Sequence, residues 1–226
     1  MSACHLSATE RRTCWNVRLL LQLLPMFAAL LLPSTLSGGA QPNSDVNQAR
    51  PSLAGQLLIA APDIPDARFR QAVVVVMRHG PEGGYGIVLN RPTGDQPMAD
   101  LFAYLGHSNE NITGNVPIFS GGPVQPELFF VLHSTDYRQA ETVDLTGDLA
   151  TTATLKILHD IAAKAGPKKF LIAFGYVGWL PGQLELQMSM KGWFTAPLDP
   201  KLVFDADRDR LWELAIAARP LGRGTR

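Results

Sequence analysis

Four consecutive valines, Val73–Val76, stand inside the apolar run Ala72–Met77 (AVVVVM). Side chains branched at Cβ favour extended backbone, and in a strand alternate residues face opposite sides. A strand apolar at every position must be covered on both faces, so the run predicts an interior strand with a packed layer above and below it. Leu57–Ala61, Leu128–Leu132 (LFFVL) and Phe170–Phe174 (FLIAF) repeat the pattern. Tyr85–Asn90 (YGIVLN) follows the tight connection GPEGG, reads as a hairpin partner and stops at Pro92. Ile118–Phe119 leads into Ser120-Gly121-Gly122-Pro123, and Thr142–Leu145 reads as an edge segment.

Helical spacing is sparser. Met98, Leu101, Phe102 and Leu105 share one face of a short helix ended by Gly106. Ala153–Ala165 places Leu155, Leu158 and Ile161 together and stops at Gly166-Pro167. A third helix is expected to begin near Pro181, with Leu184, Met188 and Trp193 inward, and a last one to span Asp207–Ala218. Strands joined by hairpin-length links and mixed with helices give an α+β (α/β) single domain over residues 53–218, followed by a flexible tail at 219–226.

The first fifty residues have a different character. Leu19–Leu32 is a fourteen-residue stretch, apolar except for Gln22 and interrupted by Pro25, with Arg11, Arg12 and Arg18 ahead of it. Spanning a membrane takes about 20 apolar residues, so the stretch reads as a signal peptide over residues 1–40, cleaved before Gln41. Residues 41–52 read as a linker. The expected location is therefore periplasmic, with only transient membrane contact, or cytosolic if the leader is a mis-assigned start. Both cysteines, Cys4 and Cys14, belong to this leader, which removes disulfides, thiol catalysis and thiolate metal sites from the body.

The first fifty residues hold four arginines against Glu10 and Asp45, leaving the body with 16 basic and 18 acidic residues, a net charge of minus two. Direct nucleic-acid binding is not expected from such a body. The sequence has no phosphate-binding glycine loop, dinucleotide fingerprint, zinc-protease helix or nucleophile elbow. No cofactor or metal is expected; His79 and His133 both end apolar strands but lack a third ligand at informative spacing. A hydrolase using Ser120, His133 and Asp136 is the minor alternative to a non-enzyme. Arg91 is assigned to an ion pair with Asp95 or Glu127 ahead of a ligand contact.

The segment Gly175–Glu185 (GYVGWLPGQLE) places Tyr176 and Trp179 on a glycine-flanked turn, with Gln183 and Glu185 on the helix start that follows. Together with Asn90, Arg91, Gly121 and Gly122, these residues form the candidate binding corner, for an unidentified protein partner or small ligand. A packed corner whose glycines admit Trp179 and Trp193 is the alternative reading of the same residues. Oligomeric state is not fixed by the sequence.

In order, GQLLIAAP (55–62), Asp66 with Phe69, the strand ending at His79, GIVLNRP (86–92), GGP (121–123), FFVLH (129–133), GYVGW (175–179), GQLE (182–185) and WFTAP (193–197) resemble the YqgE/AlgH family of bacterial proteins. The resemblance covers Leu53 to Ala218. It implies a bifurcated mixed sheet curled into a pseudo-barrel with flanking helices, and no established reaction or cofactor. Members are often labelled transcriptional regulators, and they are generally cytosolic. This chain departs at Gln187, where members commonly carry Glu, at Lys191-Gly192 before Trp193, and at Gln71, usually Arg.

Overall fold

The computed structural model describes residues 51–107 and 112–220. The leader, most of the linker and most of the tail lie outside the described residues. Ten strands form one sheet: β1 (Gln56–Ala60), β2 (Val73–Gly80), β3 (Gly83–Val88), β4 (Pro92–Pro97), β5 (Asn115–Ser120), β6 (Val124–Ser134), β7 (Val143–Asp144), β8 (Leu149–Thr152), β9 (Phe170–Trp179) and β10 (Trp193–Pro197). Five helices accompany them: α1 (Met98–Tyr104), α2 (Leu155–Ala162), α3 (Gln183–Ser189), α4 (Pro200–Phe204) and α5 (Leu211–Ala218).

The valine run behaves as its branching requires. Val73, Val75 and Met77 join one apolar layer with Leu57 and Ile59, beneath Val203 of α4 and Leu211 and Ala215 of α5. Val74 and Val76 face the other way, onto Leu58, Ala60, Trp179, Leu184 and Trp193. All four valines are fully buried, each contributing about 1.5–3 kcal/mol of burial. A third layer sets α1 and α2 against β5, β6 and β9 through Phe102, Ile118, Val131, Ile157, Leu158 and Ile172.

The main path of the sheet runs β10-β1-β2-β3-β9-β6-β8-β7. On one edge of β9, β5 pairs in parallel with residues 172–174, whereas β3 pairs antiparallel with residues 177–179. The sheet therefore divides at Gly175. This glycine sits at φ +72°, and a Cβ there would strike the Gly122 carbonyl oxygen. Its left-handed turn acts as a bulge: Ala173 and Tyr176 both face the layer under α4 and α5, an odd spacing that a regular strand forbids. At the far ends the sheet curls back on itself, and Thr146 Oγ1 in the β7–β8 turn donates to Gly55 O at 2.8 Å.

Several boundaries differ from the sequence expectation. GYVGW is no turn but the continuation of β9. Trp193 opens strand β10 instead of lying on α3. α5 starts at Leu211, and the shorter α4, with Asp199 capping Lys201 N–H, precedes it. Strand β4 begins at Pro92 itself; it is exposed throughout and pairs with β5, the edge position where proline is tolerated.

Candidate functional site

The structure separates the eight expected site residues into three places. Asn90 is buried at the end of β3, where its Oδ1 accepts from Val73 N at 3.0 Å and its Nδ2 donates to Gln71 O at 2.8 Å. It fastens the left-handed Gln71 (φ 56°) to the start of β2. The Arg91 guanidinium donates to Asn90 O and Arg70 O, which corrects the expected ion pair with Asp95 or Glu127; burial holds its pKa below the ordinary arginine value. Since Asn90 satisfies one buried donor and one acceptor, Asn90→Ala is expected to cost about 2 kcal/mol in urea denaturation.

Gly121 and Gly122 mark the fork of the sheet. Gly121 N–H donates to Phe174 O at 2.7 Å, and a Cβ on Gly122 would enter the Tyr176 backbone. These contacts consume the Gly121 donor that an oxyanion hole would need. Tyr176 lies on the α4–α5 side of the sheet, edge-on to Tyr85 and Phe130, with its hydroxyl donating to Gln125 Oε1 at 2.9 Å.

Trp179, Gln183 and Glu185 form the third place. Three residues apart on one strand, Tyr176 and Trp179 point to opposite faces, so the convergence expected of them is not present. Trp179 packs edge-on against Trp193, with ring centroids 6.1 Å apart. Both indole N–H groups donate to one oxygen, Gln187 Oε1, at 3.0 and 2.9 Å. Gln183 Oε1 accepts from Leu180 N and so caps the turn into α3. Glu185 Oε1 lies 3.2 Å from His79 Nε2, within ion-pair distance but off the axis of a hydrogen bond. On the other side of that ring, Nδ1 accepts from Leu53 N, which places the proton of a neutral His79 on Nε2, toward Glu185.

Above this base α3 presents an apolar ridge that the sequence reading did not single out. Leu184 and Met188 point inward, whereas Leu186 and Met190, one turn apart, are 61% and 69% exposed, and Leu180 in the preceding turn is 74% exposed.

The hydrolase arrangement does not form. Ser120 pairs with Phe174 of β9 from one side and His133 with Phe170 from the other, a separation of about 13 Å along the strand alone. The His133 ring bonds Thr152 and Ser134 O, while Asp136 accepts from Ser134 Oγ. The two histidines considered for a metal are also far apart: His79 lies level with Trp179 through Gly84, and His133 with Phe170, nine positions or roughly 30 Å along β9.

Comparison with known proteins agrees with this architecture. A family model described as AlgH-like matches residues 57–221. A UPF0301 protein of Nitrobacter hamburgensis is 40% identical over 202 residues, covering 84% of this chain and 92% of its own. One from Jannaschia sp. is 42% identical over 166 residues, covering 73% and 86%. The solution structure of the AlgH protein from Pseudomonas aeruginosa superposes with a TM-score of 0.65 at 34% identity, covering 79% of this chain and 92% of that one. A crystal structure of protein DIP2367 from Corynebacterium diphtheriae, at 19% identity and TM-score 0.58, shares the fold. With the forked sheet, the matched span and these identities in agreement, the chain belongs to the AlgH-like, UPF0301 family.

Proposed function

We propose that the protein is a non-enzymatic interaction module, exported from the cytoplasm, that holds a protein partner on the α3 ridge. The carrying observation is the ridge itself: Leu186 and Met190, one turn apart, are exposed on a short helix fixed from below by Leu184 and the Gln187 bridge, and Leu180 in the turn leading into it is exposed as well. Single exposed leucines are ordinary on any surface, but a pair of large apolar side chains on one helix face, preceded by a third exposed in the adjoining turn, favours an interaction site. Of the expected corner residues, Trp179, Gln183 and Glu185 serve this reading by shaping the base of α3. The slightly acidic body favours a protein over a nucleic acid.

The double variant Leu186→Glu, Met190→Glu tests the reading. Both side chains are already solvated, so stability is expected to change by less than about 0.5 kcal/mol, while partner capture from the native host is lost. Unchanged capture by the folded double variant contradicts the ridge. Export rests on the arginine-flanked apolar stretch Leu19–Leu32. Its check is the intact mass of the chain recovered from host fractions: a mature chain beginning at Gln41 in the periplasm is expected. A cytosolic chain beginning near residue 50 overturns export and returns the protein to regulation through cytosolic partners.

A further inference from the structure

His133 is fully buried on β6 and takes part in a chain of hydrogen bonds whose directions are fixed. A carbonyl oxygen only accepts, so the contact of Nδ1 with Ser134 O at 2.9 Å places a proton on Nδ1. In the neutral ring Nε2 then only accepts, and Thr152 Oγ1, 2.9 Å away, is its donor. Thr152 Oγ1 in turn accepts from Thr142 Oγ1 at 2.8 Å, and Thr142 Oγ1 accepts from Gln139 N at 2.9 Å. With the ring uncharged every member of this chain is satisfied.

Those threonines bracket the β7–β8 hairpin. Thr142 precedes β7, Thr152 ends β8, and the turn between them carries Thr146, which closes the curled sheet onto Gly55. The same turn walls an open pocket of about 420 Å³ shared with Gln56, Thr195, Pro197 and Leu198. Apart from Leu145, which is half-buried, β7 and the turn are exposed, and only the four residues of β8 are buried. β8 is paired to β6 along its whole length and buries Leu149 in the core, so it is β7 and the turn that depend on the contacts at the hairpin's base and tip.

We propose that His133 is an acid-sensitive latch: its neutral ring holds the base of the β7–β8 hairpin, and protonation releases β7 and the turn and opens the seam at Gly55. Protonating Nε2 turns an acceptor into a donor facing Thr152. Both hydroxyls must then reverse, and Thr142, half-buried, passes its proton outward to solvent while the charged ring stays fully buried behind it. The Asp136 and Asp144 carboxylates favour the charged ring through space, more weakly than burial opposes it, but no carboxylate hydrogen-bonds it. Asp136 is bonded to Ser134, Asp144 to Arg138, Asp160 to Tyr137 and Lys156, and Asp205 to Lys169 beyond the β9 side. Lys168, the remaining cation there, gives only its backbone N–H to Asp136.

Burial is the main reason that the His133 pKa lies below its ordinary value of 6.5. The sign follows: the unfolded or opened chain binds the proton more readily than the closed one. The latch is thus fully engaged above about pH 6.5 and weakens as pH falls from there toward the depressed value.

Amide hydrogen exchange of the full chain, corrected for intrinsic exchange rates, reads this directly. Between about pH 7.5 and pH 5, protection of residues 143–148 is expected to fall about tenfold or more, while Val73–Val76 of β2 stay protected. In His133→Gln, whose amide accepts and donates without titrating, hairpin protection is expected to be independent of pH. Nitrogen NMR of the wild-type ring supplies a second reading that survives misfolding of that variant: a neutral Nδ1–H form whose titration coincides with the exchange transition. Constant hairpin protection in the wild type, the same acid loss in His133→Gln, or a loss that does not track the His133 titration overturns the latch.

Discussion

Replacing Gly175 by alanine is expected to destabilise the protein by about 3 kcal/mol or more. Two costs add. An L side chain at φ +72° is strained by about 1–2 kcal/mol, and its Cβ would collide with the Gly122 carbonyl oxygen and approach Val124 O at 3.2 Å. Neither neighbour is a flexible side chain; both are backbone groups, Gly122 in the link from β5 to β6 and Val124 at the start of β6. The comparison that isolates the collision is Gly182→Ala, since Gly182 has nearly the same φ, +74°, and open space where its Cβ would lie. That variant is expected to cost only about 1 kcal/mol. Urea denaturation of the two variants measures the difference. Equal, small losses would mean that the fork of the sheet tolerates a side chain and that Gly175 does not set its geometry.

The second large effect is expected at Gln187. One amide oxygen serves two indoles that are each about 95% buried, so Gln187→Leu leaves both N–H groups without an acceptor. A buried donor stripped of its partner costs about 1–3 kcal/mol, which predicts a loss of about 2–4 kcal/mol for the pair. Tryptophan emission should shift to the red as water reaches Trp179 and Trp193. Gln187→Glu keeps an acceptor oxygen and is expected to lose less than half as much. A Leu variant as stable as wild type, with unchanged emission, contradicts the bridge and with it the rigid base assigned to α3.

The position also shows what a sequence hides. As a departure from the family pattern, Gln187 reads as a lost carboxylate; the structure makes it the shared acceptor of the aromatic corner, a role requiring knowledge of two residues on different elements. The strands of Val73–Val76, Leu128–Leu132 and Phe170–Phe174 were legible because each is an unbroken apolar run rich in branched, leucine and aromatic residues, although Leu128 is 42% exposed where β6 leaves the core. Strands β4 (PTGDQP) and β8 (LATT) were not, since one lies exposed on an edge and the other is too short and hydroxyl-rich to show a period. The glycines of GYVGW read as a turn because their use is tertiary: Gly175 admits another backbone, and Gly178 lies under the Tyr176 ring. That misreading put Tyr176 and Trp179 on one surface, whereas the strand period sends them to opposite faces. Exposure of Leu186 and Met190 was equally hidden, because helical spacing shows that Leu184 and Met188 share a face but not that the opposite apolar side chains lack a cover.

The α3 ridge is the central claim, and site-specific photo-crosslinking in the native host tests it most directly. A photoreactive residue at Leu186 should yield a discrete crosslinked protein in the periplasmic fraction. The same group at Leu214, an α5 position 37% exposed, should not. Crosslinks equal at both positions, or none at Leu186 while the folded protein is abundant, would contradict the account.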